Sequence, residues 1–119
     1  MKRGFRLTRS SDIERVRQTG KSFSHPLVVL IAAPNELGQV RIAVAAGRSV
    51  GGAVVRSRAK RLVRAGLDQM LPGGLVAGWD IVFLARRPLP EAGFGKTRAA
   101  LEMVLRRANL FIPEAQRYE

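Results

Sequence analysis

Apolar residues along this chain fall into runs whose period changes from extended to helical and back. After Pro26 comes Leu27-Val28-Val29-Leu30-Ile31-Ala32-Ala33, whose length and β-branched content predict a buried strand. The turn cluster Pro34-Asn35-Glu36-Leu37-Gly38 then leads into Val40-Arg41-Ile42-Ala43-Val44-Ala45, and the two runs predict a β-hairpin. Gly51-Gly52 ends the extended part. From Ala53 to Leu71, Val55, Ala59, Leu62, Val63, Gly66, Leu67 and Met70 form one apolar stripe at helical spacing, stopped by Pro72-Gly73-Gly74. Trp79 to Ala85 reads as a further strand, Arg86 to Pro90 as its exit loop. A last helix is predicted from about Lys96 to Asn109, with Leu101, Val104, Leu105 and Ala108 on one side. Near the start, Ser11-Asp12-Ile13-Glu14 has capping-box spacing and Gly20 fits a helix C-terminal cap. These signals predict a short helix of about two turns. The order is that of an α+β domain with helices covering a small, mainly antiparallel sheet.

Length and composition narrow the chemistry. At 119 residues with 46% hydrophobic residues and no internal repeat, the chain fits one globular domain. It has no cysteine and one histidine, which removes disulfides, thiol nucleophiles and cysteine-ligated metals. Lys and Arg number 21 against 9 acids, a net charge of +12, and 17 of the 21 are Arg. Guanidinium groups fork onto phosphates and stack on bases. Such a surplus points to an anionic partner, nucleic acid first and an anionic membrane surface second. Compositional drift toward Arg is the competing explanation. No apolar core follows the basic start, and Leu27 to Ala33 is far too short to span a bilayer, so a cytoplasmic protein is expected. Residues 1–9 read as a flexible basic arm and 113–119 as a flexible tail.

The charge is concentrated. Arg56, Arg58, Lys60, Arg61 and Arg64 occupy the helix arc opposite the apolar stripe. Between Leu37 and Leu67, with Arg41 and Arg48 added, seven basic residues meet no acid. A merely solvated helix face would mix both signs. Gly51-Gly52 ahead of the helix permits close backbone approach to an anion, although a turn explains two glycines equally well.

The segment from Gly51-Gly52-Ala53-Val54 through Arg56-Ser57-Arg58-Ala59-Lys60-Arg61 to Arg64 strongly resembles the signature helix of the bacterial ribonuclease P protein subunit. The flanking elements agree in order and spacing across nearly the whole chain. The resemblance implies a small basic partner of a catalytic RNA that removes the 5′ leader of precursor tRNA. In that family the RNA and its magnesium ions hydrolyse the phosphodiester, so no catalytic residue, metal site or protein partner is expected on this chain. It implies an α-β sandwich ordered αβββαβα, like the second domain of a ribosomal protein, with a left-handed crossover. A fourth, short strand would then fall near Lys21–Ser24. By matching positions, Arg48, Gly52, Arg56, Ser57, Arg58, Lys60, Arg61 and Arg64 would meet the catalytic RNA. The arm residues Lys2, Arg3, Arg6 and Arg9 would add RNA contacts. The single-stranded leader would lie in a cleft between the sheet and the first helix, near Ile13, Arg17 and Ile31.

Departures from the family pattern are specific. Ser57 and Gly52 replace the usual asparagines, and a hydroxyl lacks the amide's paired donor and acceptor. Ile13, Arg17 and Ile31 stand where aromatics are frequent, so leader would be held by apolar contact and charge more than by stacking. His25 has no nucleophile or carboxylate arrangement around it in sequence, and Trp79 and Phe83 read as core. A ribosomal or other structural RNA-binding protein with no role in cleavage is the alternative reading.

Overall fold

The computed structural model describes residues 1–117, so the last two positions of the expected flexible tail lie outside the described residues. The elements are α1 (Ser10–Thr19), β1 (Lys21–Ser24), β2 (Val28–Pro34), β3 (Arg41–Ala46), α2 (Ala53–Asp68), β4 (Trp79–Ala85) and α3 (Leu89–Arg107). Short 3-10 turns lie at Arg3–Phe5, Arg48–Val50 and Glu114–Gln116. The order is the expected αβββαβα, short β1 included.

One sheet runs in the order β1-β2-β4-β3, antiparallel except for the parallel β3–β4 pair. The expected hairpin between β2 and β3 does not form. β4 lies between them, with Leu30 opposite Phe83 on one side and Val44 opposite Phe83 on the other. An almost wholly apolar β4 buries both faces and belongs at the sheet centre. A reading of adjacent runs favours local pairing and misses this insertion.

The sheet has helices on both faces. Leu30, Ile42, Ile81 and Phe83 form the main core with Ala59, Val63 and Leu67 of α2 and Leu101 and Leu105 of α3. Phe83 is fully buried and Trp79 packs at the edge of that core, as expected. On the opposite face Val16 of α1 meets Ile31, Ala33 and Val82, with Leu7 from the N-terminal segment. Alternation along each strand sends neighbouring residues to opposite cores.

Several boundaries differ from expectation. Helix α1 starts at Ser10 with Arg9 at its N-cap and no side-chain cap, so the Ser11–Glu14 capping box does not form. Glu14 instead accepts a hydrogen bond from Gln18 Nε2 at 3.0 Å. Gly20 does close α1, and its lack of a side chain matters. A Cβ there would lie 2.5 Å from the Val16 carbonyl oxygen and 2.8 Å from that of Ala32. The last helix begins seven residues early because Leu89 and Pro90 start a turn ahead of Gly93, whose φ of 80° interrupts it. Helix α2 ends at Asp68 rather than Leu71; its stripe is buried at Ala59, Val63, Gly66 and Leu67, Met70 is buried just beyond it, and Val55 is exposed.

Candidate nucleic-acid interface

Helix α2 packs its apolar stripe against the sheet and α3, which turns its basic arc outward. Ser57, Arg58 and Arg61 are exposed, and Arg56, Lys60 and Arg64 are half-buried along their stems. Among the described residues none of these cations, nor Arg48 in the 3-10 turn before α2, forms an ion pair. Four acids pair elsewhere: Glu102 with Arg98 and Arg106, Asp80 with Arg15 and Arg41, Asp12 with Arg41, and Asp68 with the N-terminal amine. Hydrogen bonds from Arg98 and then Arg106 hold the Glu102 carboxyl below its usual range. The Arg56 Nε is covered yet has no acceptor among the described residues.

The start of α2 is uncapped by any side chain, with Gly52 at the N-cap. Gly51 has φ 150°, and a Cβ there would lie 2.9 Å from a Val55 methyl, so glycine fits the turn that launches the helix. The first-turn amides of α2 therefore have no side-chain partner. Val54, which the sequence reading did not single out, is 80% exposed. With Ala53, Ser57 and Arg61 it lines a shallow depression of about 310 Å³. Its position off the apolar stripe was the available signal.

The N-terminal segment differs from the flexible arm expected. Leu7 is buried, its amide donates to the Ile42 carbonyl at 2.8 Å, and Arg6 bridges Ile42 in parallel register. Lys2, Arg3, Arg6 and Arg9 remain exposed around that anchor. This seating brings three expected groups together. Arg6, Ile13 and Arg64 line one hollow of about 190 Å³ with Leu7, Ala43 and Val44.

Of the expected cleft residues, Arg17 is exposed on α1 and Ile13 half-buried. Ile31 is only 7% exposed, being covered within the small core under α1. The accessible floor on this face consists of the partly exposed Val29, Leu84 and Ala45, which are neighbours across β2, β4 and β3. None of the three was singled out from sequence, because burial under α1 depends on where the helix lands.

The fully buried Asp80 was also not singled out from sequence. Its Oδ1 accepts from Arg41 Nε and Asn35 Nδ2, both at 2.8 Å, and its Oδ2 from Arg41 Nη2 at 2.7 Å and Arg15 Nη2 at 2.6 Å. Burial alone would raise the Asp80 carboxyl. The hydrogen bonds from Arg41 and Asn35 and the two guanidinium charges together outweigh it and hold the group below its usual value. The signal was present: an acid inside an apolar strand must find partners.

Among the described residues no three His, Cys, Asp or Glu side chains gather as a metal site, and no helix is long and apolar enough to cross a membrane. His25 Nδ1 accepts the Leu27 amide at 3.0 Å, which makes it part of the turn into β2.

The sequence model described as Ribonuclease P matches residues 1–109. The ribonuclease P protein component of Roseiflexus sp. is 38% identical over 111 residues, covering 92% of this chain and 90% of that protein. That of Chloroflexus aggregans is 40% identical over 118 residues, covering 98% and 87%. Among solved structures, the Staphylococcus aureus RNase P protein superimposes with TM-score 0.81 at 26% identity, covering 91% of this chain and 98% of that one. A Thermotoga maritima RNase P protein gives 0.76 at 29% identity, covering 86% and 98%. By sequence across nearly its whole length and by fold, the chain belongs to the family of bacterial ribonuclease P protein components.

Proposed function

We propose that this chain, as a subunit of the endoribonuclease that matures tRNA 5′ ends, grips the catalytic RNA with the outer face of α2 and holds the leader of precursor tRNA between α1 and the sheet. The observation that carries this reading is the run of cations on α2, none of which forms an ion pair among the described residues. Arg56, Arg58, Lys60, Arg61 and Arg64 meet phosphates, Arg48 and the open amides at Gly52 extend the site around the helix start, and Ser57 donates a hydrogen bond. Val54 supplies an apolar contact to ribose or base. A phosphate that draws the Arg56 head outward also relieves its unsatisfied Nε, which is costly while covered.

The leader crosses the floor of Val29, Ala45 and Leu84 beside Ile13 and Arg17, with Arg6 and Arg64 marking where the two RNA surfaces adjoin. Lys2, Arg3 and Arg9 add phosphate contacts around the seated N-terminal segment. Magnesium belongs to the RNA in this reading, since the protein's own carboxylates are dispersed or already bound to arginine, and they do not fit a magnesium site. No further protein is needed, and the complex works in the cytoplasm.

The test is reconstitution with a bacterial catalytic RNA at low magnesium, measuring leader removal with and without the protein. Stimulation is expected. Failure to stimulate, together with crosslinks confined to ribosomal RNA, would establish the alternative of a structural RNA-binding protein.

A further inference from the structure

We propose that Asp80 is a positioning residue for leader binding: acting through Arg15, it fixes the roll of α1 and so the side of the cleft that α1 forms. The proposal rests on the cleft reading above and deepens it.

The cluster joins four parts of the chain at one carboxylate. Asp80 lies on the central strand, Arg41 beside it on β3, Asn35 in the turn after β2, and Arg15 on α1. The turn is itself tied, since Asn35 Nδ2 also donates to the Gln39 carbonyl at 3.0 Å and Asn35 Oδ1 accepts the Leu37 amide at 2.8 Å. Arg41 reaches α1 a second time, with its Nη1 3.7 Å from Asp12 Oδ2.

Arg41 alone gives Asp80 a two-point fork, and Asn35 adds a third donor. A buried carboxylate with that set is already compensated. The fourth donor comes from a helix whose Val16 is already buried against the sheet. What it adds is orientation. At about 3.6 residues per turn, Asp12 and Arg15 fall on one flank of Val16, and Ile13 and Arg17 on the other. The apolar contacts of α1, Val16 fully buried and Ile13 packed beside it on the same small core, are non-directional and restrain the helix only partly from rolling. Ion pairs on the first flank stop that roll and so set where Ile13 and Arg17 stand over Val29, Ala45 and Leu84. The far end of α1 is fixed independently, by the close approach of Gly20 to β2.

The experiment uses the reconstituted holoenzyme with two precursor tRNAs, one bearing a long leader and one a single-nucleotide leader. Arg15→Met removes the tether and leaves Asp80 with Arg41 and Asn35. The expected result is a KM raised about tenfold for the long-leader substrate, the lower end of what removal of an orienting partner costs at metal sites. KM for the short-leader substrate and affinity for the catalytic RNA stay unchanged. Arg15→Lys keeps a single-point contact and restores most of the difference. Asp12→Asn, which loosens the longer tie, shifts KM the same way by less, and serves should Arg15→Met not fold. Equal losses on both substrates, or no loss on either, would overturn the proposal. If the unsubstituted holoenzyme itself draws no gain from the long leader, it is the cleft reading that fails.

Discussion

The arginines of this protein live in two environments that composition does not separate. On α2, Arg58 and Arg61 are exposed, with no carboxylate in reach among the described residues. Across the sheet, Arg15 and Arg41 close on Asp80 at 2.6 to 2.8 Å. The second pair is spent on holding the fold, whereas the first remains available to an external anion. Net charge therefore overstates the binding surface, and the location of the acids shows which cations count.

Removing the carboxylate tests that contrast most severely. Asp80→Ala leaves two guanidinium groups beside a partly dry strand and is expected to lower unfolding free energy by about 3–5 kcal/mol, the range for breaking a buried pair from one side. Arg58→Ala and Arg61→Ala should each stay within about 0.5 kcal/mol in the same denaturant titration. A loss of similar size at all three sites would erase the distinction.

Gly20→Ala comes next, because its methyl has two backbone oxygens in the way and neither is a movable side-chain end. A loss of about 1–3 kcal/mol in thermal or urea unfolding is expected, the usual cost of overpacking. Binding reverses the ranking. The Arg58→Ala, Arg61→Ala double variant should flatten the salt dependence of RNA affinity by about 1.4 in log–log slope, at ~0.7 per lost single-strand phosphate contact, and Asp12→Asn should leave the slope unchanged.

Acid sharpens the comparison further. Asp80 titrates lower in the folded chain than in the unfolded one, whose value is about 3.9. Its contribution is complete above that unfolded value and drains away as pH falls through the lower folded one. A Tm series below pH 5 should thus be shallower in Asp80→Asn than in the parent. The smallest effect is expected at Thr97, whose buried hydroxyl has no partner among the described residues. Thr97→Val should leave Tm equal or slightly higher.

Local signals carried far. The span of β4 and the start and buried stripe of α2 follow from periodicity and turn residues alone, and the Arg-x-Arg-x-Lys-Arg spacing carries the family resemblance. What stayed hidden depends on separation along the chain. Asp80 meets partners 39, 45 and 65 residues away, which no window of hydropathy contains. The seat of Leu7 on β3 and the covering of Ile31 by α1 are likewise products of packing. The capping box failed for a smaller reason: α1 begins at Ser10, which leaves Ser11 inside the helix rather than at its cap.

The insertion of β4 between β2 and β3 has a consequence for how the molecule comes into being. Synthesis proceeds from the N-terminus, yet the central strand is the last strand made. Until Trp79 to Ala85 emerges, β3 has no strand to pair with and β2 has only short β1. Helix α2 lies within that crossover, so a nascent chain carries the arginines of that helix well before anything fixes the direction in which they face. Closure of the sheet requires distant segments to meet, the kind of step that slows folding. The growing chain therefore acquires its charge first and its shape afterwards.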